Sequence, residues 1–393
     1  MSHPLIGRNG DLQRLYEEGF EIEIHGAFIV IRSVPYVNGQ REVRRGTLVA
    51  PLHVNIDQTF APTNHVVMFS GDYPCDVDGR ELEQLRHMAN VSEPVPGITT
   101  RFGFSNKPPN GYVDHHQLVT TYVAHLEGPA QAIDPDARAR TWNPVENTDP
   151  DAVFLYPDTA SSRAGITHIA RKLEDERIAI IGLGGTGSYI LDLVAKTLVR
   201  EIHLFDGDLF GSHNAFRAPG APSITELRQR PYKVDHFAAV YARMRRGIFP
   251  HSYFMDASRV VELDTMTFAF LCMDAGEAKR LTVERLEQLG IPFIDVGMGL
   301  TLSDAGSLSG ILRVVTSTPE KRDHVRAKQR IDFNGGGDEL YNNIQIADLN
   351  ALNGTLAVLR WKKLRGVYHA GRVEHFSAFV ITTGSLIHED FLE

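Results

Sequence analysis

The stretch RIAIIGLGGTGSYILDLVAKTLVREIHLFDGD, residues 177–208, decides how this chain is read. The short apolar run from Arg177 to Ile181 predicts a buried strand. Glycines at 182, 184, 185 and 187 follow, then an apolar helix pattern from Thr186 to Leu198 and a second strand from Ile202 to Phe205. A glycine turn between strand and helix lets phosphate or sugar oxygens approach the backbone. The helix N-terminus adds N–H groups and partial positive charge. Alone, the turn fits a nucleotide, a redox dinucleotide with Asp206 at its acidic position, or a structural bend.

The residues beyond the turn separate these readings. Asp206 ends the second strand, where a carboxylate can accept hydrogen bonds from both ribose hydroxyls. Asp208 lies two residues on and is a candidate Mg²⁺ ligand. Asn214 and Arg217 are three apart and point together on one helical turn. Arg217 offers forked donors and Lys233 a compact charge, a pair suited to triphosphate oxygens. Asp274 follows the strand Phe268–Cys272 at the carboxyl edge of the sheet, where open α/β sheets bind ligands. A redox dinucleotide needs neither two cations nor two further carboxylates.

This set resembles the ThiF/MoeB/E1 family, the adenylyltransferases that activate ubiquitin-like proteins, over residues 165–393. The family pattern of GxGGxG, DxD, an Asn-x-x-Arg, a Lys and a Cys-x-Asp is met by Gly182–Gly187, Asp206 and Asp208, Asn214 and Arg217, Lys233, and Cys272 with Asp274. The resemblance implies that Gly182, Gly184, Gly185 and Gly187 contact ATP and that Asp206 takes the ribose. It implies that Asn214, Arg217 and Lys233 take the phosphates. Asp274 would help hold Mg²⁺ and position the C-terminal glycine of a ubiquitin-like or sulfur-carrier protein. The catalytic set implied is Arg217, Lys233 and Asp274. Relatives act as homodimers and borrow an arginine from the partner subunit; Arg163 and Arg171 are the candidates. Two positions depart from the pattern: Ala218 stands for a Gln and Ala275 for an Asn.

The chemistry implied is attack of a carboxylate on the α-phosphate of ATP, in which the protein supplies alignment and charge neutralisation. For the next step a thioester would need a cysteine. Cys272 falls in an apolar strand and reads as packing. Cys75, in GDYPCDVDG, is the candidate acyl carrier, expected exposed on a turn. Asp72, Asp76 and Asp78 would raise its pKa. Thr316, Ser317 and Thr318 are hydroxyls expected near a Gly-rich loop, FNGGGDE, where turn chemistry is the usual role. Direct transfer from the adenylate to a separate acceptor protein is the preferred reading.

The expected fold of the second half, residues 164–393, is a Rossmann-like parallel sheet with helices on both faces and an antiparallel extension. Its helices are expected at Thr186–Leu198, Leu227–Met244, Glu277–Leu289 and Gln345–Leu364, and its last strand at Phe376–Thr382. Residues 128–163 carry five prolines and read as a linker. Residues 1–127 read as an α+β domain. It has a helix at Asp11–Glu18, strands through 20–52 and at His65–Ser70, and helices at Arg80–Met88 and His116–Leu126. The order of its elements is similar to an E2 conjugating domain, as in bacterial ubiquitin-like operons linked to antiphage defence, with no E2 signature motif. His115 and His116 read as surface or capping residues rather than a metal pair. Phe102 and Phe104 read as strand core.

A net charge of −9 argues against nucleic acid or an anionic membrane as partner. No apolar run spans a membrane and no secretory signal opens the chain. The two cysteines form no disulfide framework or zinc motif, so a cytoplasmic setting is expected and no zinc. The competing readings are a non-catalytic scaffold that binds a ubiquitin-like partner, and a nicotinamide- or flavin-dependent oxidoreductase.

Overall fold

The computed structural model describes residues 3–147, 150–304, 306–334 and 344–392, with side chains left out at 3, 4, 162 and 163. The chain divides into two compact units, Met1–Thr167 and His168–Glu393.

In the first unit, helix α1 (Gly10–Glu17) buries Leu12 and Leu15. It stops at Gly19, whose φ of +90° suits glycine, and Trp142 lies on that glycine so closely that a Cβ would enter the indole ring. Strands β1 (Ile22–His25), β2 (Phe28–Val37), β3 (Val43–Pro51), β4 (Val66–Ser70), β5 (Arg86–Val95) and β6 (Ile98–Ser105) build an antiparallel sheet in the order β1-β2-β3-β4-β6-β5. Helix α2 (His115–Ile133), capped by Asp114, packs Leu118, Val119, Tyr122, Val123 and Leu126 against it. The helix expected over Arg80–Met88 is instead a 3-10 turn, Glu83–Leu85, running into β5. Pairing with β6 overrides the local helix formers. The Pro96-Gly97 dipeptide, with Gly97 at φ +79°, makes the hairpin turn. The helix begun at His116 runs through Pro129, into the stretch read as linker. Beyond it, Ala139 N–H donates to Glu127 and Trp142 N–H to Gly19 O, so residues 139–142 lie on the first unit's core.

The second unit is a mixed sheet of β7 (Arg177–Ile181), β8 (Glu201–Phe205), β9 (Ile248–His251), β10 (Phe268–Leu271), β11 (Phe293–Leu302), β12 (Leu308–Ser317), β13 (Glu374–Val380) and β14 (Ser385–Phe391). Its order is β9-β8-β7-β10-β11-β12-β13-β14, parallel from β9 to β11 and antiparallel onward. Alternate residues of β7 feed two cores. Ile178 and Ile180 face α3 (Gly185–Ala195), α5 (Lys233–Tyr241) and α7 (Ala347–Leu364), while Ala179 and Ile181 face α6 (Glu277–Leu289).

The sequence reading of a Rossmann-like sheet with an antiparallel extension holds. The helix expected over Leu227–Met244 is two helices, α4 (Ile224–Gln229) and α5, because Arg230 adopts a left-handed φ of +48° just before Pro231. Edge strands β9 and β14 escaped the sequence reading. β9 carries Pro250, which only an edge tolerates. Thr316 and Ser317 lie inside β12 and Thr318 just beyond; all three are buried, so they are not loop hydroxyls awaiting an acyl group. Gly335–Glu339 of the Gly-rich loop lie outside the described residues.

Candidate functional site

The site opens where β7 and β8 end. Gly182 donates its N–H to Phe205 O at 2.8 Å and turns at φ +92°. A Cβ there would lie 2.5 Å from Cys272 O on the neighbouring strand end. Gly187 faces the carbonyl of Gly182, and a Cβ on Gly185 would overlap the Asn350 side chain. Three of the four glycines are therefore demanded by packing. Gly184, the residue before α3, has open space: its nearest neighbour is Gln345 Oε1 at 3.9 Å.

Asp206 is buried and pinned by two backbone donors. Leu183 N–H reaches its Oδ2 at 2.7 Å and Asp208 N–H its Oδ1 at 2.9 Å. Lys233, the first residue of α5, is buried as well. Its Nζ lies 2.6 Å from Asp208 Oδ2 and 3.5 Å from Asp206 Oδ2. Its own N–H donates to Asp208 O at 2.9 Å. Asn214 sits in a one-turn helix, Ser212–Ala215, with Oδ1 accepting from Gly211 N–H and a buried Nδ2 that has no hydrogen-bond partner. Arg217 follows, and its buried Nε also lacks a partner. Burial lowers the Arg217 pKa, while Asp274 and Asp208 pull it back up, so both carboxylates are near enough for their charge to act on it. Asp274 itself is exposed.

Sequence reasoning missed the floor of this site. Asn350, in the first turn of α7, accepts from Thr186 Oγ1 at 2.8 Å and reaches Arg217 O from Nδ2 at 3.5 Å. Gln345 accepts from Gly185 N–H at 3.4 Å. The signal was present: Asn350 and Asn353, three residues apart, are amides on the buried face of the late helix. Phe254 was missed as well. It stands 63% exposed with its ring 2.7 Å from where a Gly207 Cβ would be.

Several sequence candidates lie elsewhere. Cys75 is 2% exposed, not on an open turn. It bridges β2 through N–H to Val37 O at 2.8 Å, and its pKa is raised first by burial and then by Glu81 and Asp76. A buried, protonated thiol is a packing group. The Cys272 thiol is likewise pushed up by burial, as its packing reading anticipated. His115 is fully buried, not at the surface. Its Nδ1 donates to Asp11 Oδ2 at 2.8 Å, and its Nε2 accepts from His53 N–H at 3.0 Å. His116 bonds Glu18 instead, so the two imidazoles point apart. Phe104 is core and Phe102 packs against it. Arg171 sits in a 3-10 turn, Arg171–Leu173; the Arg163 side chain lies outside the described residues.

Magnesium binds through one or two carboxylates and completes its shell with water and phosphate. Asp208 and Asp274, exposed oxygens around Arg217, fit that donor set. Among the described residues no group of three or more His, Cys, Asp or Glu could cage a metal. No helix among them is long and apolar enough to cross a membrane.

A parallel sheet with a glycine turn and an acidic strand end makes this an α/β unit of the Rossmann-like kind. Residues 149–331, just under half of the chain, match the ThiF family. Residues 10–159 match a family described as a domain of unknown function, DUF6791. No curated protein matches the chain in sequence. Among solved structures, PaaA is similar at 17% identity over 57% of this chain and 75% of that one, with a TM-score of 0.43. MccB of E. coli, crystallised with ATP, is similar at 13% identity over 58% and 71%, with a TM-score of 0.45. The microcin C7 biosynthetic enzyme MccB in complex with N-formylated MccA gives 14% identity over 56% and 66%, with a TM-score of 0.43.

Proposed function

We propose that the ThiF-family unit binds Mg-ATP and adenylates the C-terminal glycine of a ubiquitin-like or sulfur-carrier protein. One observation carries the reading. Two buried donors without partners, Asn214 Nδ2 and Arg217 Nε, stand with Lys233 around an acidic strand end at the glycine turn. Buried donors normally find acceptors, and phosphate oxygens would supply them.

In this reading Asp206, held rigid by two backbone N–H groups, accepts from the ribose. Arg217 and Lys233 offset the charge on the phosphates, and Asn214 orients them. The glycine carboxylate attacks the α-phosphorus; one O–P bond forms, the bond to the β-phosphate oxygen breaks, and pyrophosphate leaves with the electron pair. Bound magnesium, held by Asp274 and Asp208, would neutralise phosphate charge as a Lewis acid. No general base is required, since the nucleophile is already ionised. The acyl-adenylate then passes to a separate acceptor, because the thiols of Cys75 and Cys272 are protonated packing groups. The first unit, Met1–Thr167, recruits partners as an E2-like or accessory domain. The protein works as a cytoplasmic homodimer in a bacterial ubiquitin-like pathway, with Arg171 or Arg163 serving the partner's site.

ATP–pyrophosphate exchange with a ubiquitin-like protein ending in glycine tests this. Exchange should require that protein and fall by roughly 100-fold or more in Asp274→Ala. Tight Mg-ATP binding with no exchange for any such protein would favour the scaffold. NAD or FAD binding in place of ATP would favour the oxidoreductase.

A further inference from the structure

Lys233 is not free to meet a phosphate in this structure. Its Nζ is held at 2.6 Å by Asp208 and at 3.5 Å by Asp206. The two carboxylates differ in mobility. Asp206 is buried and both of its oxygens are fixed by backbone N–H groups. The Asp208 side chain is 56% exposed, and among the described residues only Lys233 bonds its carboxylate. Asp208 is therefore the partner that can let go.

Charge balance makes the release conditional. Lys233 faces two carboxylates, Asp206 and Asp208, and Arg217 feels two, Asp208 and Asp274. A bare polyphosphate would meet the exposed Asp208 carboxylate and a lysine already neutralised by it. A divalent cation reverses that balance and offers Asp208 a replacement for the ammonium.

We propose that Asp208 is a positioning latch. It clamps Lys233 while the site is empty and hands it to the phosphates when it exchanges the lysine for a divalent cation arriving with the nucleotide. The latch rests on the nucleotide reading above and adds to it a reason for obligatory coupling between metal and nucleotide. Asp206 keeps Lys233 in place during the exchange, and the backbone bond from Lys233 N–H to Asp208 O anchors the start of α5 throughout.

The test is calorimetric titration of the full chain with AMP-PNP, in magnesium chloride and in EDTA, for wild type and Asp208→Asn. Wild type should bind in EDTA at least ~10-fold more weakly than in magnesium. In Asp208→Asn the lysine is unclamped, so affinity in EDTA should rise ~10-fold and the magnesium effect should shrink to about 2-fold. Lys233→Met should bind weakly in both conditions, and unchanged thermal unfolding of Asp208→Asn should confirm its fold. Asp208→Asn binding AMP-PNP in EDTA no better than wild type, with wild type binding in magnesium, overturns the latch and leaves the nucleotide reading standing. No binding by wild type in either condition overturns the nucleotide reading and the latch with it.

Discussion

Asn350 of α7 lies against Gly185 of α3 so closely that no side chain fits between them. The contact joins the late helix to the glycine turn, and Asn350 extends it to Thr186 Oγ1 and Arg217 O. One amide thus ties the turn, the helix behind it and the arginine segment together. Gly185→Ala should force these apart, costing about 2 kcal/mol in urea unfolding and weakening nucleotide binding. Adding Asn350→Ala removes the collision and should restore part of the stability. An unaltered midpoint in the single variant would contradict the contact.

Arg245 is a buried cation with a structural task. Its guanidinium donates to the carbonyls of Ala195, Thr197 and Val199, closing the C-terminal end of α3. Burial lowers its pKa to about 10, so it stays charged near neutral pH. Arg245→Met leaves those carbonyls unpaired and should cost about 3 kcal/mol, read by denaturant unfolding at pH 7. Stability within experimental error of wild type would mean that water replaces the guanidinium freely.

The second unit should lose stability in mild acid. Burial lowers the pKa of His375 to about 4, with the neighbouring His324 adding to it, and the two rings meet edge to face at 5.8 Å. The His324 pKa is lowered by burial too. A depressed histidine pKa means that the unfolded chain binds the proton more readily. The His375 contribution, about 3 kcal/mol, is complete above pH ~6.5 and is lost as pH falls toward 4. Asp11 acts in a separate window. Burial alone would raise its pKa, but hydrogen bonds from His115 and Thr59 outweigh that and bring it to about 2, so its contribution fades only below about pH 4. Unfolding midpoints at pH 7 and pH 5, for wild type and His375→Phe, check the first window. An equal pH slope in both proteins would contradict it.

Cys75 should react slowly with iodoacetamide in the native protein and at the ordinary rate in urea, since burial both covers it and raises its pKa. Cys75→Ala should leave ATP–pyrophosphate exchange unchanged. Rapid native labelling, or an acyl adduct lost in that variant, would show that the thiol is accessible after all.

Much of the fold was legible where period and punctuation agree. β7, α3 and the antiparallel β11–β12 pair follow from apolar runs bounded by glycine, and the DxD and the Asn-x-x-Arg mark the site. What escaped was set by tertiary pairing. Residues 86–95 contain helix formers, yet they become β5 because β6 is available beside them. The exposure of Cys75 could not be read from its acidic turn, since β2 covers the thiol from far along the chain. Asn350 was hidden for a similar reason: its meaning lies in the glycine it touches, more than 160 residues earlier. The clamp on Lys233 depends on side-chain distances that no spacing rule supplies.

The most direct test of the account is a crystal structure of the full chain with AMP-PNP and magnesium. The account predicts Lys233 Nζ, Arg217 and Asn214 Nδ2 within hydrogen-bond distance of the phosphates, the ribose on Asp206, and Asp208 parted from Lys233. A nucleotide bound elsewhere, or phosphates that leave Arg217 and Lys233 uncontacted, would contradict it.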